Sequence, residues 1–283
     1  MHLQVTATRA ATLLARNPAL FCRVLLAKLN SARPMPTLPV RRRIGEILFE
    51  YNLASYHGTA PMYFGSYSPL VVNAMRRILR PRDVFVDIGA NIGYLSAVAA
   101  DIVGPDGQIH AFEPVPEYFK RLQQFAALNP RYSLELNACA VGDAKRTQQI
   151  FVTREPGQST LVSCYKTAAE VVSSRPVPVV RLDAYLAEKE IAQVRLIKID
   201  AEGFELPVLQ GLQGYFETRL QRPAILCEIA PRAYPLMGRD VSELRNFMGN
   251  WGYTARDLAD GKTPVDITAL EHVEDVLFLA ANS

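Results

Sequence analysis

The sequence predicts an α/β fold in which a doubly wound, mostly parallel sheet follows a basic helical extension. From Asp83 onward, short β-branched segments alternate with helical segments, which is typical of a parallel sheet with helices on both faces. The composition is that of a globular protein, with 49% hydrophobic and 21% charged residues, so collagen, coiled-coil and disordered classes are excluded. A chain of 283 residues accommodates one large domain and an extension.

Seven predicted strands and the helices between them follow one another at the spacing of βαβ units. The strands are expected at Val84–Ile88, Gln108–Phe112, Leu134–Val141, Val194–Ile199, Ala224–Ile229, Tyr253–Asp257 and Asp275–Ala280. The helices are expected at Ile92–Val103, Pro116–Leu128, Leu206–Leu220 and Ser242–Trp251. An inserted hairpin is expected at Gln148–Thr153 and Val177–Arg181. Ligands of such sheets bind at the carboxyl ends of the strands, where the strand order reverses.

Residues 1–45 are predicted to be a basic helical extension with a linker, separate from a domain at residues 46–283. The extension contains eight Lys and Arg and no Asp or Glu, a local charge of +8 that leaves the remaining chain at −5. Residues 10–29 have helical character, and residues 33–39 are rich in proline. We expect this arm to pack on its own domain, to dimerise, or to contact an anionic membrane peripherally.

The cysteines and the apolar segments bear on the compartment. The four cysteines form no C-x-x-C pair and no Cys/His cluster, so a reducing compartment is expected. The apolar run in the arm is too short and too charged for a transmembrane helix, and it lacks the features of a signal peptide. The prediction is a cytoplasmic protein, with membrane association through the arm as an alternative.

The first predicted strand is followed by a loop with two glycines, Asp87-Ile88-Gly89-Ala90-Asn91-Ile92-Gly93. The loop does not match the nicotinamide-binding pattern G-x-G-x-x-G, because Asn91 and Tyr94 stand where the second and third glycines belong. At the strand end, Asp87 would repel a pyrophosphate and suits a ligand with a positive charge. The two glycines allow the backbone to approach that ligand closely.

The second predicted strand ends in Phe112-Glu113-Pro114. Glu113 lies 24 residues after Gly89, close to the spacing at which an acidic side chain binds ribose hydroxyls. A ligand with an unphosphorylated ribose and a cationic part fits Asp87 and Glu113, and S-adenosylmethionine has both. The alternatives are a solvated loop acid at Glu113 and a helix N-terminal charge at Asp87.

Four segments together resemble the FkbM-type methyltransferases. They are Val-Asp-Ile-Gly-Ala-Asn-Ile-Gly-Tyr (86–94), Phe-Glu-Pro (112–114), Asn-Ala-Cys-Ala-Val-Gly-Asp (137–143) and Ile-Lys-Ile-Asp-Ala-Glu-Gly-Phe-Glu (197–205). The resemblance covers about residues 60–280 and leaves the basic extension outside. It implies a Rossmann-like class I methyltransferase that uses S-adenosylmethionine, mostly on hydroxyl groups of sugars, polyketides or related metabolites.

The resemblance also implies roles for individual residues. The methionine end of the cofactor would be held by Asp87, Gly89, Asn91 and Gly93, and the ribose by Glu113. After the third strand, Val141 would form an apolar wall beside the adenine and Asp143 would accept its exocyclic amine. An ordinary turn is the alternative for these last two residues.

Acidic residues after the fourth predicted strand are the candidates for catalysis. A hydroxyl acceptor has a pKa far above 7 and therefore needs a base in the transition state. Asp200 ends the strand and Glu202 follows two residues later, so we predict that one of them is the base. Glu205 is expected to favour the N-terminus of the following helix. Lys198 is expected to oppose the rise in pKa that clustered carboxyls cause.

Two further segments are candidates to line the acceptor pocket. One is the inserted segment, through Ser159 or Thr160, and the other is the aromatic stretch Tyr63–Tyr67, with His57 upstream of it. Plain core packing is the alternative for the aromatic residues, and a surface loop is the alternative for His57.

The sequence thus predicts a methyltransferase that acts on a hydroxyl of a sugar-containing or other small metabolite. N-methylation, a catalytically silent nucleotide-binding scaffold and a nicotinamide dehydrogenase are the alternatives. A divalent metal on the clustered carboxylates is not favoured, because no spacing demands it. No nucleic-acid partner is expected, because the acidic remainder of the chain gives no broad basic groove.

Overall fold

The computed structural model describes residues 39–52, 68–154 and 157–280. The chain divides into two compact units, one of Met1–Arg43 and Phe49–Pro69, the other of Ile44–Leu48 and Leu70–Ser283. The predicted arm helix at residues 10–29 lies outside the described residues, as does most of the predicted linker. The boundary between residues 45 and 46 stays a prediction.

The described elements are named here in chain order. The strands are β1 (Pro39–Ile44), β2 (Ile47–Asn52), β3 (Val84–Ile88), β4 (Gln108–Phe112), β5 (Ser133–Asn137), β6 (Ala140–Val141), β7 (Arg146–Thr153), β8 (Val171–Val180), β9 (Leu196–Ile199), β10 (Ala224–Ile229), β11 (Tyr253–Asp257) and β12 (Glu274–Ala280). The α-helices are α1 (Pro69–Ile78), α2 (Tyr94–Val103), α3 (Pro116–Leu128), α4 (Leu182–Glu188), α5 (Glu205–Gln210), α6 (Gln213–Thr218) and α7 (Val241–Asn250). Single 3-10 turns occur at Pro231–Ala233, Pro235–Met237 and Ile267–Ala269.

The last residues of the predicted extension form a strand. β1 and β2 make a two-stranded sheet, and β1 begins at Pro39, the last residue of the predicted proline-rich linker. In the first unit, Arg41 Nε donates to Glu50 Oε2 at 2.8 Å. Val40 and Ile44 are β-branched and suit an extended backbone. The three arginines between them, residues 41–43, led us to assign this segment to the basic extension.

The second unit is built on a seven-stranded sheet of order β11-β12-β10-β9-β3-β4-β5. Strands β5, β4, β3, β9 and β10 are parallel, and β12 runs antiparallel to both β10 and β11. The predicted mostly parallel, seven-stranded sheet is confirmed. All of Leu196–Ile199 is buried, which requires packing on both faces of the sheet. The strand order reverses between β3 and β9, so ligands are expected at the carboxyl ends of these two strands.

The prediction of one strand at Leu134–Val141 is wrong. β5 ends at Asn137, and Ala140–Val141 forms β6, which pairs in parallel with Val179–Val180 of β8. The physical reason is that β8, about forty residues further along the chain, offers the pairing partner. β6, β8 and β7 make a separate three-stranded sheet, and its antiparallel β7–β8 pair is the predicted inserted hairpin.

The predicted helix at Leu206–Leu220 is interrupted at Gly211, giving α5 and α6. A Cβ at Gly211 would lie 2.2 Å from the carbonyl oxygen of Gly142, so the two backbones touch there. The Gly211 carbonyl accepts the N–H of Asp183 at 2.9 Å, which ends the helical hydrogen-bond ladder. This interruption therefore arises from a tertiary contact that the helical periodicity of the sequence does not contain.

A helix that crosses a bilayer needs about 20 mostly apolar residues. Across residues 39–52, 68–154 and 157–280, no helix is both long and apolar enough to cross a membrane.

Candidate active site

The loop between β3 and α2 turns through three residues with left-handed backbone angles. Gly89, Asn91 and Gly93 have φ values of 77°, 52° and 85°. A Cβ at Gly89 would lie 2.0 Å from the carbonyl oxygen of Asp200, so only glycine fits at this position. α2 begins at Tyr94, two residues later than predicted, because Gly93 cannot continue a right-handed helix.

Asp87 is the second-to-last residue of β3. It is 1% exposed, and its Oδ2 accepts a hydrogen bond from the Ser96 hydroxyl at 2.6 Å. Burial raises the pKa of Asp87 to about 6, although the Ser96 hydrogen bond and the Lys198 ammonium oppose this rise. A cation bound beside Asp87 would hold the carboxyl ionised.

Glu113 follows β4 and is buried beside the same loop. Its two carboxylate oxygens accept the backbone N–H groups of Asn91 and Val115, both at 2.8 Å. Burial raises the pKa of Glu113 to about 7 against the effect of these hydrogen bonds, and Asp200 and Asp87 add to the rise. The structure therefore brings three predicted site acids into one electrostatic neighbourhood.

The side chain of Asn91 presents an unsatisfied acceptor. Its Oδ1 is shielded from solvent, and no donor among the described residues reaches it. A buried polar atom without a partner costs about 1–3 kcal/mol, so such an atom is commonly matched by a ligand or an ordered water. This position fits a donor group of a bound ligand.

Asp200 follows β9 and forms an ion pair with a buried lysine. The Lys198 ammonium lies 2.8 Å from Asp200 Oδ2, and the two side chains are 3% and 30% exposed. Burial opposes the charge of Lys198, but Asp200, Glu228 and Asp275 outweigh it and raise the pKa of this lysine. The ion pair favours the ionised form of Asp200 at the carboxyl end of β9.

Glu228 and Asp275 complete the group around Lys198. They face each other in the β10–β12 ladder. Asp200 and burial raise the pKa of Glu228 well above its usual range, and burial followed by Asp200 raises the pKa of Asp275. The charge of Asp200 and burial thus both favour the protonated form of Glu228, and the Lys198 ammonium opposes them.

Glu202 lies in the turn after β9 with a left-handed φ of 47°. Its carbonyl accepts the Thr160 hydroxyl at 2.6 Å, and its Oε2 lies 3.1 Å from the Lys166 ammonium. Burial and the charge of Asp200 raise the pKa of Glu202 to about 7, while Lys166 lowers it. A carboxyl with a pKa near 7 is matched to proton transfer at neutral pH.

Glu205 begins α5 and is fully buried, in agreement with its predicted place at the helix N-terminus. Its Oε1 accepts the N–H of Gly203 at 2.6 Å, and its Oε2 accepts the Tyr234 hydroxyl at 3.2 Å. Burial raises the pKa of Glu205 to about 7. The contacts are those of a residue that fixes the 201–204 turn.

The structure places Val141 and Asp143 with the three-stranded sheet. Val141 is 2% exposed and belongs to the hydrophobic core. The Asp143 carboxylate accepts from the Arg146 guanidinium at 2.7 Å, and its carbonyl accepts from Arg181 at 2.6 Å. Both residues therefore have structural partners, and their contact with adenine stays a prediction.

Of the residues predicted to line the acceptor pocket, the structure describes Ser159 and Thr160. Thr160 is buried and tied to the Glu202 carbonyl. The Ser159 hydroxyl is shielded from solvent, without a hydrogen-bond partner in the described ranges. His57 and the Tyr63–Tyr67 stretch lie outside the described residues.

Two residues of the site were not identified from the sequence. Ser96 bonds Asp87 from the first turn of α2, and a hydroxyl so close to a helix start after an acidic strand end was a usable signal. Lys166 bonds Glu202 from a polar, non-periodic segment, where the sequence contains no signal of that contact.

Carboxylates are the usual protein ligands of hard metal ions. In the part of the chain that the structure describes, no group of three or more His, Cys, Asp or Glu side chains has the geometry to hold a metal ion. Lysine ammonium groups, backbone N–H groups or hydroxyls are the partners of Asp87, Glu113, Asp200, Glu202 and Glu205.

Comparison with curated proteins identifies methyltransferases as relatives. The 31-O-demethyl-FK506 methyltransferase FkbM of Streptomyces tacrolimicus is 30% identical over 165 residues, which are 48% of this chain and 61% of that protein. The hexuronic acid methyltransferase AglP of Haloferax volcanii is 26% identical over 199 residues, 68% of each chain. The chain thus spans about two thirds or less of the length of these relatives.

Solved structures and a family model complete the comparison. Methyltransferase FkbM from Methylobacillus flagellatus is 14% identical with a TM-score of 0.42, covering 95% of this chain and 60% of that one. The fibrillarin of Aeropyrum pernix with bound S-adenosylmethionine is 12% identical with a TM-score of 0.43, covering 88% and 86%. Similarity at this level supports no conclusion about activity. The methyltransferase FkbM domain, however, matches residues 87–255, more than half of the sequence. The chain therefore belongs to the FkbM family of methyltransferases, whose methyl donor is S-adenosylmethionine.

Proposed function

We propose that this protein transfers a methyl group from S-adenosylmethionine to a hydroxyl group of a small metabolite that contains a sugar or a related ring. The observation that carries the proposal is the position of Glu202, a buried carboxyl with its pKa raised to about 7, next to Asp200 at the carboxyl end of β9. A hydroxyl acceptor needs such a base, whereas an aliphatic amine needs little more than neutralisation.

The residues after β3 and β4 fit S-adenosylmethionine. Asp87 offers a negative charge to the cationic end, and Asn91 Oδ1 offers a buried acceptor to the ammonium group. Each Glu113 oxygen accepts one backbone N–H and retains a lone pair for a ribose hydroxyl. The absence of a side chain at Gly89 lets the loop after β3 lie directly against the Asp200 backbone. When bound, the cofactor supplies a methyl group on a sulfonium sulfur that leaves as a neutral thioether.

Glu202 is the residue that we assign as the base, in preference to Asp200. Both acids are paired with a lysine, but the Asp200 pair with Lys198 is shorter, at 2.8 Å against 3.1 Å, and its lysine is more deeply buried, so it favours the ionised carboxylate more strongly and makes Asp200 the weaker proton acceptor. Burial makes the Glu202 carboxylate more basic, so it is better matched to accept the acceptor hydroxyl proton near pH 7. Asp200 would then orient the acceptor and stabilise positive charge at the transferred carbon.

Two relatives support a small acceptor that bears oxygen. One is named as a 31-O-demethyl-FK506 methyltransferase and the other as a hexuronic acid methyltransferase. Both names describe small molecules with oxygen substituents. We propose the same class of acceptor for this chain.

The test is methyl transfer from tritiated S-adenosylmethionine to a panel of free sugars, uronic acids and hydroxylated macrolides. We expect an alkali-stable methyl ether as product, and Glu202→Gln should lower its rate of formation by about 10²–10⁴-fold. Glu117→Gln is the matched control, because Glu117 is exposed and pairs with Arg175 rather than with a residue of the turn after β9. Transfer to amines alone, or full activity of the Glu202→Gln variant, would show that the proposal is wrong.

A further inference from the structure

The inserted segment between β7 and β8 places a lysine on the carboxyl that we assign as the base. Lys166 Nζ lies 3.1 Å from Glu202 Oε2 and 3.4 Å from Gln158 Oε1. The side chains of Lys166 and Glu202 are only 12% and 13% exposed, so solvent screens the pair weakly. An ion pair with this burial constrains the direction of both groups.

The same segment also holds the backbone of Glu202. The Thr160 hydroxyl donates to the Glu202 carbonyl at 2.6 Å and accepts the N–H of Val162 at 3.0 Å. Glu202 has a left-handed φ of 47°, which is unfavourable for a residue with a side chain and persists only where neighbouring contacts impose it. Thr160 and Lys166 therefore hold the main chain and the side chain of one strained residue.

Several charged groups face Glu202. β9 and the turn after it present Lys198, Asp200 and Glu205, and Glu228 of β10 acts on the neighbouring Asp200 and Tyr165. The inserted segment contributes Lys166 and the phenol of Tyr165, which Arg232 also faces.

These groups leave Lys166 as the direct counterion of Glu202. Burial, followed by the nearby carboxylates, raises the pKa of Tyr165, so this phenol stays neutral near pH 7. Lys198 is already paired with Asp200 at 2.8 Å. Removing Lys166 would thus leave the Glu202 carboxylate among other acids without its nearest cation.

We propose that Lys166 is a positioning residue of the methyl-transfer site, which fixes the direction of the Glu202 carboxylate and keeps it ionised near neutral pH. Thr160 supports it by fixing the backbone of Glu202. The inference rests on the proposed role of Glu202 as base. It assigns a role in the chemistry to the inserted three-stranded sheet.

The experiment measures the protonation of Glu202 directly in the full chain, without donor or acceptor. Glutamate is labelled with ¹³C at the side-chain carboxyl, and the Glu202 resonance is assigned by its loss in Glu202→Gln. We expect a midpoint near pH 7 in the parent protein, as burial of Glu202 predicts. Lys166→Met should move this midpoint upward by about one pH unit, because an opposite charge at this distance is removed. Lys166→Arg should restore the parent value.

The control variant is Lys189→Met, which removes a lysine paired with Glu135 at 2.6 Å on an exposed surface. It should leave the Glu202 midpoint unchanged. Should Lys166→Met fail to fold by circular dichroism, Lys166→Gln keeps a polar side chain of similar length and serves in its place. An unchanged midpoint in the Lys166 variants, or an equal change in Lys189→Met, would overturn the inference. Full methyl transfer by Glu202→Gln would instead overturn the assigned base.

Discussion

The carboxylate of Glu113 accepts the backbone N–H of Asn91 at 2.8 Å. This hydrogen bond joins the residue after β4 to the glycine loop after β3. The acid that we assign to the ribose therefore also fixes the loop that we assign to the methionine end of the donor. Because Glu113 accepts a second N–H from Val115, its two oxygens hold both chain segments at once.

The first prediction concerns Glu113→Gln. We expect the variant to bind S-adenosylmethionine about 10–100-fold more weakly, because the amide nitrogen would face a backbone N–H and leave two donors opposed. Calorimetric titration of the full chain measures this affinity. Glu117→Gln, at an exposed ion pair with Arg175, should bind as the parent does. Parent-like affinity of the Glu113 variant would remove the ribose assignment.

The second prediction concerns Gly89→Ala. The new Cβ would lie 2.0 Å from the Asp200 carbonyl oxygen at a residue with φ of 77°, so the backbone must move. We expect the free energy of unfolding to fall by about 2 kcal/mol or more. Urea unfolding followed by circular dichroism measures it.

Gly249→Ala is the matched control for that substitution. Gly249 lies within α7, and a Cβ there meets no atom within 4 Å. Alanine in a helix interior should stabilise the protein by about 0.5–1 kcal/mol relative to glycine. Equal effects of the two substitutions would show that the approach of Gly89 to Asp200 is not a tight contact.

The third prediction concerns the pH dependence of stability through Glu205. Burial raises the pKa of Glu205 from 4.5 to about 7, so the folded state binds its proton more tightly than the unfolded state. The stability from this group is fully present below about pH 4.5 and is lost as pH rises through about 7. Glu205→Gln should therefore raise the free energy of unfolding at pH 8 by about 1–3 kcal/mol and have little effect at pH 4.5.

Urea unfolding at the two pH values measures this effect of Glu205. Glu117→Gln is again the control. Its own backbone N–H and Arg175 lower the pKa of Glu117, so the pKa shift has the opposite sign to that of Glu205, and it occurs at an exposed position. A Glu205→Gln variant that is less stable than the parent at pH 8 would contradict the account. It would mean that the ionised carboxyl is better solvated than its burial implies.

The sequence was most informative where one segment determines its own structure. The bounds of β3, β4 and β10 agree with the predicted strands, because each is a mostly apolar run with a glycine, a charged residue or a proline within two residues of its end. Asp87, Glu113 and Asp200 could be placed at one edge of the sheet, because parallel strands carry their carboxyl ends to the same side.

The features that were missed depend on contacts between distant segments. Ala140–Val141 pairs with β8 outside the main sheet, and α5 ends at Gln210 because the backbone of Gly211 touches that of Gly142. The ion pair of Lys166 with Glu202 joins residues 36 positions apart across an irregular segment. No periodicity or motif in these segments predicts contacts between residues so far apart in the sequence.

The measurement that tests the account most directly is the calorimetric titration of the full chain with S-adenosylmethionine, S-adenosylhomocysteine and NADH. We expect one molecule of S-adenosylmethionine per chain, competition by S-adenosylhomocysteine, no heat from NADH, and weaker binding in Asp87→Asn. The acids at the ends of β3 and β4 would have no such role if the protein bound NADH or showed no heat with S-adenosylmethionine.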